Sequence, residues 1–363
     1  MKAKFLFMIG LSLMLALPGK AQFGLGGGGG AAKRDTSIQK LRVTGFPLIQ
    51  YDRTQDLIFG AIGMLMFPMQ KSDTLSPTSM AGVGIIGTQR ESWGALGFSK
   101  LYMKEDRWRA TLAAGYFSFN YQFYWDPVPN YGQFIQYNSG FVFAYGQVLR
   151  RINSYLLFGT HLTYMKANTT LYVLEQNVPR PVTYMNNTGL DLDLDTRNDV
   201  YYPDEGIFLE SSWEWAPEWL ENTQSYHKFN LSVNHYHRLK KWWVQASRFT
   251  SAFGIGEIPF EAQEILGGTD IRGYSQGAQR GDQLFSIQTE SRFQVLPRWF
   301  LIAFAGVGTT ANEAKDYNWD NLWPGAGGGF RFTVIPSEMM NIGIDAAAGR
   351  GDWSLQFTIG ESF

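Results

Sequence analysis

The sequence predicts an all-β protein, a transmembrane antiparallel β-barrel of sixteen strands. Three observations predict it: the composition, a two-residue alternation of apolar and polar side chains, and the lack of a long apolar run beyond the first residues. Of 363 residues, 16% are aromatic and 17% are charged, against about 25% charged in soluble domains. A mean hydropathy of −0.19 excludes a bundle of membrane helices and suits a barrel whose lipid-facing and lumen-facing side chains cancel in the average.

The first residues have the pattern of an export signal. Lys2 and Lys4 precede an apolar run at 5–17, and Gly19-Lys20-Ala21 offers the small-x-small pattern that a signal peptidase recognises. That run is shorter than the ~20 residues that a membrane-spanning helix needs. We therefore expect a signal peptide at 1–21, cleaved after Ala21, and export to the outer membrane.

The remaining chain divides into a leader and a barrel. Residues 22–40 contain five consecutive glycines and are expected to form a flexible leader, which leaves 41–363 for the barrel. Loss of the signal's three lysines changes the formal charge from 31 − 32 to 28 − 32, or −4. An acidic chain has no electrostatic attraction for nucleic acid, and a chain without cysteine has neither disulfides nor thiolate metal sites.

Alternation is clearest in two segments. At 353–360 apolar side chains alternate with small or polar ones, and at 190–195 three leucines alternate with three aspartates. Such a pattern indicates strands with one face toward lipid and the other toward a lumen. Because an unpaired backbone amide in lipid costs several kcal/mol, these strands require a closed cylinder.

Segments of strand length recur along the whole chain. Fifteen are evident. Because single-chain bacterial barrels have even strand numbers, we expect a sixteenth strand at 41–50. Pro47 would be confined to an end of that strand. The fifteen lie at 55–67, 79–89, 92–103, 107–118, 134–149, 153–168, 187–196, 205–216, 224–238, 241–254, 281–294, 298–310, 323–335, 338–348 and 352–363. The longest predicted connections, which are expected to face outward, lie at 119–133, 169–186, 255–280 and 311–322.

One of these long loops carries a distinctive tetrapeptide. Ile271-Arg272-Gly273-Tyr274 is followed on the next predicted strand by Glu290. An arginine kept away from water needs a carboxylate partner, and Glu290 is the preferred candidate. Further motifs follow the same order along the chain: a turn with Asp195, Arg197, Pro203 and Gly206, a glycine-rich strand at 325–332, a strand at 341–347 with an inward aspartate, and an ending with Gly360 and Phe363.

Together these motifs resemble the BamA/TamA superfamily of outer-membrane assembly barrels, also called bacterial surface antigens. The resemblance implies that the arginine loop folds back into the lumen, that Arg272 and Glu290 form a salt bridge there, and that the first and last strands pair weakly. It also implies that Gly360 is a kink beside the seam and that Phe363 is the terminal aromatic address of outer-membrane barrels. Many relatives carry an aspartate where this chain has Gly306, so Arg272 would rely on Glu290 or another lumen carboxylate.

The resemblance implies a role in assembling or inserting outer-membrane proteins, or in translocation. The sequence shows no α/β repeats of 70 to 90 residues ahead of the barrel, so a partner-supplied periplasmic module is expected, with accessory proteins, client β-barrels and outer-membrane lipid as partners. A passive or plugged pore without insertase activity is the alternative.

A barrel phospholipase is the less favoured alternative. Such an enzyme should have a histidine two residues from its active serine, as in H-x-S-N-G, and none of the histidines of this chain has that surrounding. We therefore expect neither enzymatic activity nor a cofactor. Asp191, Asp193 and Asp195 could bind calcium, but aspartates of a solvated lumen wall are the favoured interpretation. His235 and His237 could bind zinc, but no third ligand is evident, so no metal is expected.

Overall fold

The structure is a computed structural model, and it describes residues 41–52, 55–70, 72–73, 75–125, 133–173, 176–268, 270–274, 279–317 and 319–363. The predicted signal peptide and leader lie outside these residues. In the described ranges the helices are short 3-10 segments of three residues each. No helix in this part of the chain is long and apolar enough to cross a membrane.

Sixteen strands of the described chain form one closed antiparallel sheet, as predicted. They are β1 (Arg42–Asp52), β2 (Asp56–Phe67), β3 (Ser79–Thr88), β4 (Trp93–Met103), β5 (Trp108–Trp125), β6 (Gln133–Arg151), β7 (Leu156–Val173), β10 (Asn187–Asp195), β11 (Gly206–Ala216), β12 (Tyr226–Lys240), β13 (Trp243–Gly256), β16 (Gln283–Leu296), β17 (Trp299–Ala311), β18 (Trp323–Ile335), β19 (Met340–Gly349) and β20 (Asp352–Ile359). Neighbours along the chain pair with each other, β7 pairs with β10, β13 pairs with β16, and β1 meets β20.

Three features of the wall differ from the sequence prediction. β1 runs through Pro47, whereas the sequence predicts Pro47 at a strand end. Proline is tolerated there because β1 is an edge over most of its length, and edge strands accommodate proline. The strands β5, β6 and β7 are longer than the segments predicted for them. Two short strands, β8 (Gln176–Pro179) and β9 (Thr183–Tyr184), also pair with β7 inside the segment predicted as a loop.

The two faces of the wall have opposite exposure. On β10, Leu190 and Leu192 are exposed on the outer surface, whereas Asp191, Asp193 and Asp195 are buried on the lumen side. Exposed large apolar side chains recur around the outside, including Val83, Ile85 and Leu301. A belt of this kind is favourable against lipid and unfavourable against water.

The lumen wall has two chemical halves. Buried apolar side chains dominate on β2 to β6, among them Ile62, Met64, Met66, Phe98, Phe117, Phe119, Phe141 and Phe143. Buried polar and charged side chains dominate on the opposite strands, among them Asp191, Asp193, Lys228, Asn234, Arg248, Glu290, Arg292, Arg331 and Asp345. The candidate site lies in the polar half.

The connection between β13 and β16 enters the lumen, as predicted. It carries a 3-10 turn (Phe260–Ala262) and a two-stranded ribbon of β14 (Glu264–Leu266) and β15 (Gln279–Gly281). Ile265, Leu266, Ile271 and Tyr274 of this segment are buried among wall residues. The loop therefore fills part of the barrel, and its tetrapeptide lies against the polar half of the wall.

Candidate functional site in the lumen

Arg272 of the loop contacts four wall residues. Its Nη2 lies 2.7 Å from Glu290 Oε2 on β16, and its Nη1 lies 2.8 Å from Asp345 Oδ2 on β19. Its Nε donates to Gln288 Oε1 at 3.0 Å, and its guanidinium carbon lies 3.4 Å from the ring centroid of Phe304. Only 2% of Arg272 is exposed, so its charge is compensated by protein groups.

Two further arginines and a third carboxylate extend this contact into a network. Arg292 Nε lies 2.9 Å from Glu290 Oε1 and 3.5 Å from Glu361 Oε2. Arg331 approaches Asp345 Oδ1 at 2.5 Å and Glu361 Oε2 at 3.8 Å. Three guanidinium groups thus face three carboxylates, and each of the six side chains is buried.

The stability of a buried charge network depends on two large and opposing free energies, the cost of desolvation and the attraction between the charges. Removing a charge from water is expensive, and mutual attraction repays the penalty only when every member has a partner. Breaking one member of a buried pair costs about 3–5 kcal/mol, because the other charge stays buried without compensation. The network therefore holds the loop in place only as a complete set.

The other three residues of the tetrapeptide fit the wall closely. Gly273 has a φ of +108°, and a Cβ atom there would lie 2.8 Å from the carbonyl carbon of Ala348, so a side chain would be strained and crowded. The Tyr274 hydroxyl donates to the Pro324 carbonyl and accepts from the Arg350 amide at 2.8 Å. Ile271 is fully buried. The whole motif is docked, not the arginine alone.

Gly306 has a steric role in this barrel. A Cβ atom at 306 would lie 2.5 Å from the Ile287 carbonyl oxygen and 2.8 Å from Ile271 Cδ1. The space that an acidic side chain would need is occupied by the loop and the neighbouring strand. Asp345 supplies the second carboxylate that Arg272 was expected to lose.

We expect Gly306→Ala to displace the docked loop. Overpacking of this kind costs about 1–3 kcal/mol, so the temperature at which the folded form is lost in heat-modifiable gel migration should fall. Gly63→Ala is the matched control, because nothing lies within 4 Å of a Cβ atom at Gly63. Equal behaviour of the two variants would contradict close packing between Ile271 and the wall.

The predicted turn motif forms a second ionic cluster. Arg197 Nε lies 3.0 Å from Asp195 Oδ1, and Asp195 Oδ2 also contacts Arg109 Nη1 at 3.3 Å. Burial disfavours the charged form of Arg197, but the Asp195 carboxylate outweighs it and keeps the pKa of Arg197 above its ordinary value. Gly206 has a φ of +106° at the bend, which explains glycine there.

The turn also contacts the central network. Arg292 Nη1 donates to the Pro203 carbonyl at 3.2 Å, and the Tyr202 ring lies 5.7 Å from the guanidinium carbon of Arg292. Arg292 therefore links the turn motif, the strand that carries Glu290 and the end of the chain. The structure brings together motifs that are separate in the sequence.

The last residues of the sequence turn into the lumen. β20 ends at Ile359, four residues earlier than the segment predicted, and Gly360 has a φ of +81°. Beyond it Glu361 joins the charge network, and Phe363 is 2% exposed beside Phe208, Tyr236 and Ala246. Phe363 thus lies inside the barrel instead of continuing the alternation of β20, while its role as an export address stays a prediction.

The strands β1 and β20, which meet at the seam, are paired over a short stretch. Within the described residues their register consists of one pair, Tyr51 with Leu355, and the rings of Tyr51 and Trp353 stack at 4.6 Å. On the other side of β20, pairing with β19 continues from Gly349–Asp352 to Ile342–Ile359. The resemblance implied weak pairing at this junction, and the observed register agrees.

Sequence reasoning missed Arg292, Arg331 and Glu361. Arg292 follows Glu290 by two residues and so shares its strand face, which was an available signal. Arg331 lies in the glycine-rich strand that we had noted without assigning a role to its arginine. Nothing in the local sequence around Glu361 indicates that the chain reverses into the lumen.

The side chains predicted as candidate metal ligands pair with other protein groups or lie on the exposed face of a strand. His161 Nδ1 lies 2.9 Å from Asp191 Oδ2, and Asp195 is paired with arginines. His235 and His237 lie on the exposed face of β12 with their rings 6.4 Å apart. In the described part of the chain, no three His, Asp or Glu side chains are grouped closely enough to hold a metal ion.

A closed sixteen-strand barrel with an apolar outer belt and a loop in its lumen defines the class of outer-membrane β-barrel proteins. The model of the Omp85 superfamily domain matches residues 78–363. The chain therefore belongs to the Omp85 superfamily, and the family predicted from the sequence motifs is confirmed.

Solved structures show the same fold. BamA from Haemophilus ducreyi lacking POTRA domains 1-3 aligns over 88% of this chain and 69% of its own, with 12% identity and a TM-score of 0.56. CdiB from Acinetobacter baumannii aligns over 89% and 60%, with 12% identity and a TM-score of 0.58. CdiB from Escherichia coli aligns over 88% and 63%, with 11% identity and a TM-score of 0.60.

At these identities the likeness concerns the fold alone, and this chain spans less than two thirds of either CdiB chain. No curated protein is significantly similar to it in sequence.

Proposed function

We propose that this barrel assists the assembly or insertion of other outer-membrane β-barrels by opening at the seam between β1 and β20. The main support is the pairing at this seam: among the described residues one register pair joins β1 and β20, whereas β2 and β19 are paired with them along most of their length. An exposed strand edge is a template for the addition of another strand. Opening at this junction would present the edge of β1 to a client strand.

Two further observations support the proposal. Pro47 near the middle of β1 belongs on a strand that is not hydrogen-bonded on both sides. The loop and the buried network fill the lumen near β16 to β19, which favours passage along the wall over passage through a wide pore. Outer-membrane lipid around the apolar belt, client β-barrels and periplasmic or outer-membrane accessory proteins are the proposed partners.

A disulfide across the seam tests the proposal. The chain has no cysteine, so Tyr51→Cys with Leu355→Cys places the only two thiols on the register pair described at this seam. We expect oxidation of this variant to lower the amounts of other outer-membrane β-barrels in the producing cell, and a reductant to restore them. Quantitative proteomics of isolated outer membranes measures the effect.

A matched control shares one of the two cysteines. Ala346→Cys with Leu355→Cys spans the β19–β20 junction, which is fully paired and is not proposed to open. Oxidation of this control should leave the outer-membrane proteins unchanged. If the seam disulfide forms and is equally silent, the assembly proposal fails and the second candidate stands.

The second candidate is a plugged barrel without insertase activity. It is favoured by the six buried charges and the docked tetrapeptide, which would keep the barrel rigid and its lumen occupied. This candidate requires neither an opening seam nor a client protein.

A further inference from the structure

The outer surface of the barrel carries a patch of polar side chains inside its apolar belt. Its members lie on the outward faces of β12, β13 and β16, and we call them the outer polar patch: His235, His237, Gln245, Ser247, Thr289 and Ser291. The strand register places His237, Gln245 and Ser291 in one row. It places His235, Ser247 and Thr289 in the next row, so the six side chains are neighbours.

Apolar side chains border the outer polar patch toward both sides of the membrane. On each of the three strands the outward residues before and after the patch are apolar: Val233 and Leu239, Trp243 and Phe249, and Ile287 and Phe293. The patch therefore lies within the part of the wall that faces hydrocarbon. Water is not available there to satisfy polar groups.

The amide and hydroxyl groups of the patch bond to each other. Gln245 Nε2 donates to Thr289 Oγ1 at 2.5 Å, and Gln245 Oε1 accepts from Ser291 Oγ at 2.6 Å. The hydroxyl oxygens of Ser247 and Thr289 lie 3.2 Å apart. These bonds orient the side chains, but among the described residues the second Nε2 hydrogen of Gln245 has no acceptor.

The two histidines of the patch have no hydrogen-bond partner among the described residues. Both are exposed on the outer face, and their rings are parallel within 8° with centroids 6.4 Å apart. A neutral imidazole has one donor and one acceptor nitrogen. A polar group in an apolar medium costs free energy unless it is hydrogen-bonded, so the patch favours a polar partner surface over lipid tails.

The hydrogen-bonding groups of the patch are self-complementary. Amide, hydroxyl and neutral imidazole groups each donate and accept, and with neutral imidazoles the patch has no charge to repel a copy of itself. Two copies in one membrane can be related by a two-fold axis along the membrane normal, which keeps every residue at its depth. Such an axis brings a compact patch against the same patch of the second copy.

The neighbouring strand leaves room for a second wall. The two rows of the patch continue on β17 with Ala303 and Ala305, which pair with Ser291 and Thr289 in the strand register and are exposed. Small side chains allow membrane-embedded surfaces to approach closely enough for side-chain hydrogen bonds.

We propose that the outer polar patch is an interface between two copies of this chain, whose amide, hydroxyl and imidazole groups pair across a two-fold axis. Four strands, β17 to β20, lie between β16 and the seam. Paired copies therefore leave both seams in contact with lipid. The pairing does not depend on the assembly function, because a plugged barrel would present the same surface.

A single cysteine tests the interface, because in a chain without cysteine it can crosslink only to another molecule. Native outer membranes with two differently tagged copies of Ser247→Cys are treated with a flexible bismaleimide, and dimers are scored on a denaturing gel. Val83→Cys, an exposed outward position on β3, is the control. We expect at least about fivefold more dimer for Ser247→Cys, since a hydrogen bond within a membrane shifts association by about that factor.

Removing the hydrogen bonds should separate the copies. Adding Gln245→Leu and Thr289→Val to Ser247→Cys replaces polar groups with apolar ones that suit lipid, and should lower the dimer yield at least about fivefold. Thr160→Val is the matched control, because Thr160 on the outer face of β7 donates to a backbone carbonyl as Thr289 does. It should leave the yield unchanged.

Three results overturn the interface: equal dimer yields at Ser247→Cys and Val83→Cys, crosslinking of Ser247→Cys to a different protein alone, or an unchanged yield after Gln245→Leu with Thr289→Val. If that variant does not fold, the intact patch supplies the measurement. Copies labelled at Glu313→Cys, an exposed position, with donor or acceptor dye are reconstituted in vesicles. Energy transfer should persist as the lipid-to-protein ratio rises, and transfer that falls in proportion to protein density overturns the interface.

Discussion

Glu290→Gln should strongly lower the thermal stability of the barrel. The change keeps the size of the side chain but removes the charge that Arg272 and Arg292 share. Two buried guanidinium groups would lose a carboxylate together, which is expected to cost about 3–5 kcal/mol. Heat-modifiable gel migration should show the folded form lost at a temperature lower by on the order of 10 °C.

The control for Glu290→Gln is a carboxylate of the same type on the surface. Glu313 pairs with Lys315, and both side chains are largely exposed. Surface ion pairs add little to stability, so Glu313→Gln should leave the migration unchanged. A Glu290→Gln barrel as heat-stable as Glu313→Gln would mean that the network does not stabilise the fold.

Arg272→Ala should release the loop with less damage to the wall. Glu290 and Asp345 keep Arg292 and Arg331 as partners, whereas the loop loses its ionic contacts and its stacking on Phe304. We therefore expect the loop at 257–282 to become several-fold more sensitive to protease in native membranes, with a smaller loss of heat stability than in Glu290→Gln. Mass spectrometry of the fragments locates the cuts.

Two companion variants separate charge from geometry. Arg272→Lys retains one positive charge but cannot bridge both carboxylates in the planar arrangement, so it should give intermediate cleavage. Arg107→Ala removes an exposed arginine whose partner is Glu105 and should resemble the wild type. Unchanged cleavage and unchanged migration in Arg272→Ala would show that Arg272 is not buried in the lumen.

The strand positions were predictable because each strand separates lipid from a lumen. Alternation at 190–195 and 353–358 places the same residues outside and inside in the structure. The lengths of β5 and β6 were underestimated because spanning a bilayer requires only about ten residues. Phe119, Tyr121 and Phe123 alternate with polar residues, a signal that the prediction of a strand ending at 118 did not use.

The site was predictable only in part, for a different reason. Arg272 and Glu290 stand out because a loop motif and an acid on the next strand are close in sequence. Arg331 joins them through pairings between strands that local patterns do not encode, and Glu361 joins them because the chain turns inward after β20. The inward turn at Gly360 depends on a backbone conformation, and the sequence there shows only a glycine.

The loop lies docked against the lumen wall, and one disulfide tests this docking most directly. A Cβ atom at Gly308 on β17 would contact Leu266 of the loop, and the chain has no cysteine of its own. In Leu266→Cys with Gly308→Cys, oxidation of intact membranes should form an intramolecular disulfide, seen as a reductant-sensitive shift on a gel. Leu266→Cys with Leu301→Cys, which places the second thiol on the exposed outer face of β17, should not crosslink. No crosslink in the first pair, while both thiols react with a soluble maleimide, would contradict the docked loop.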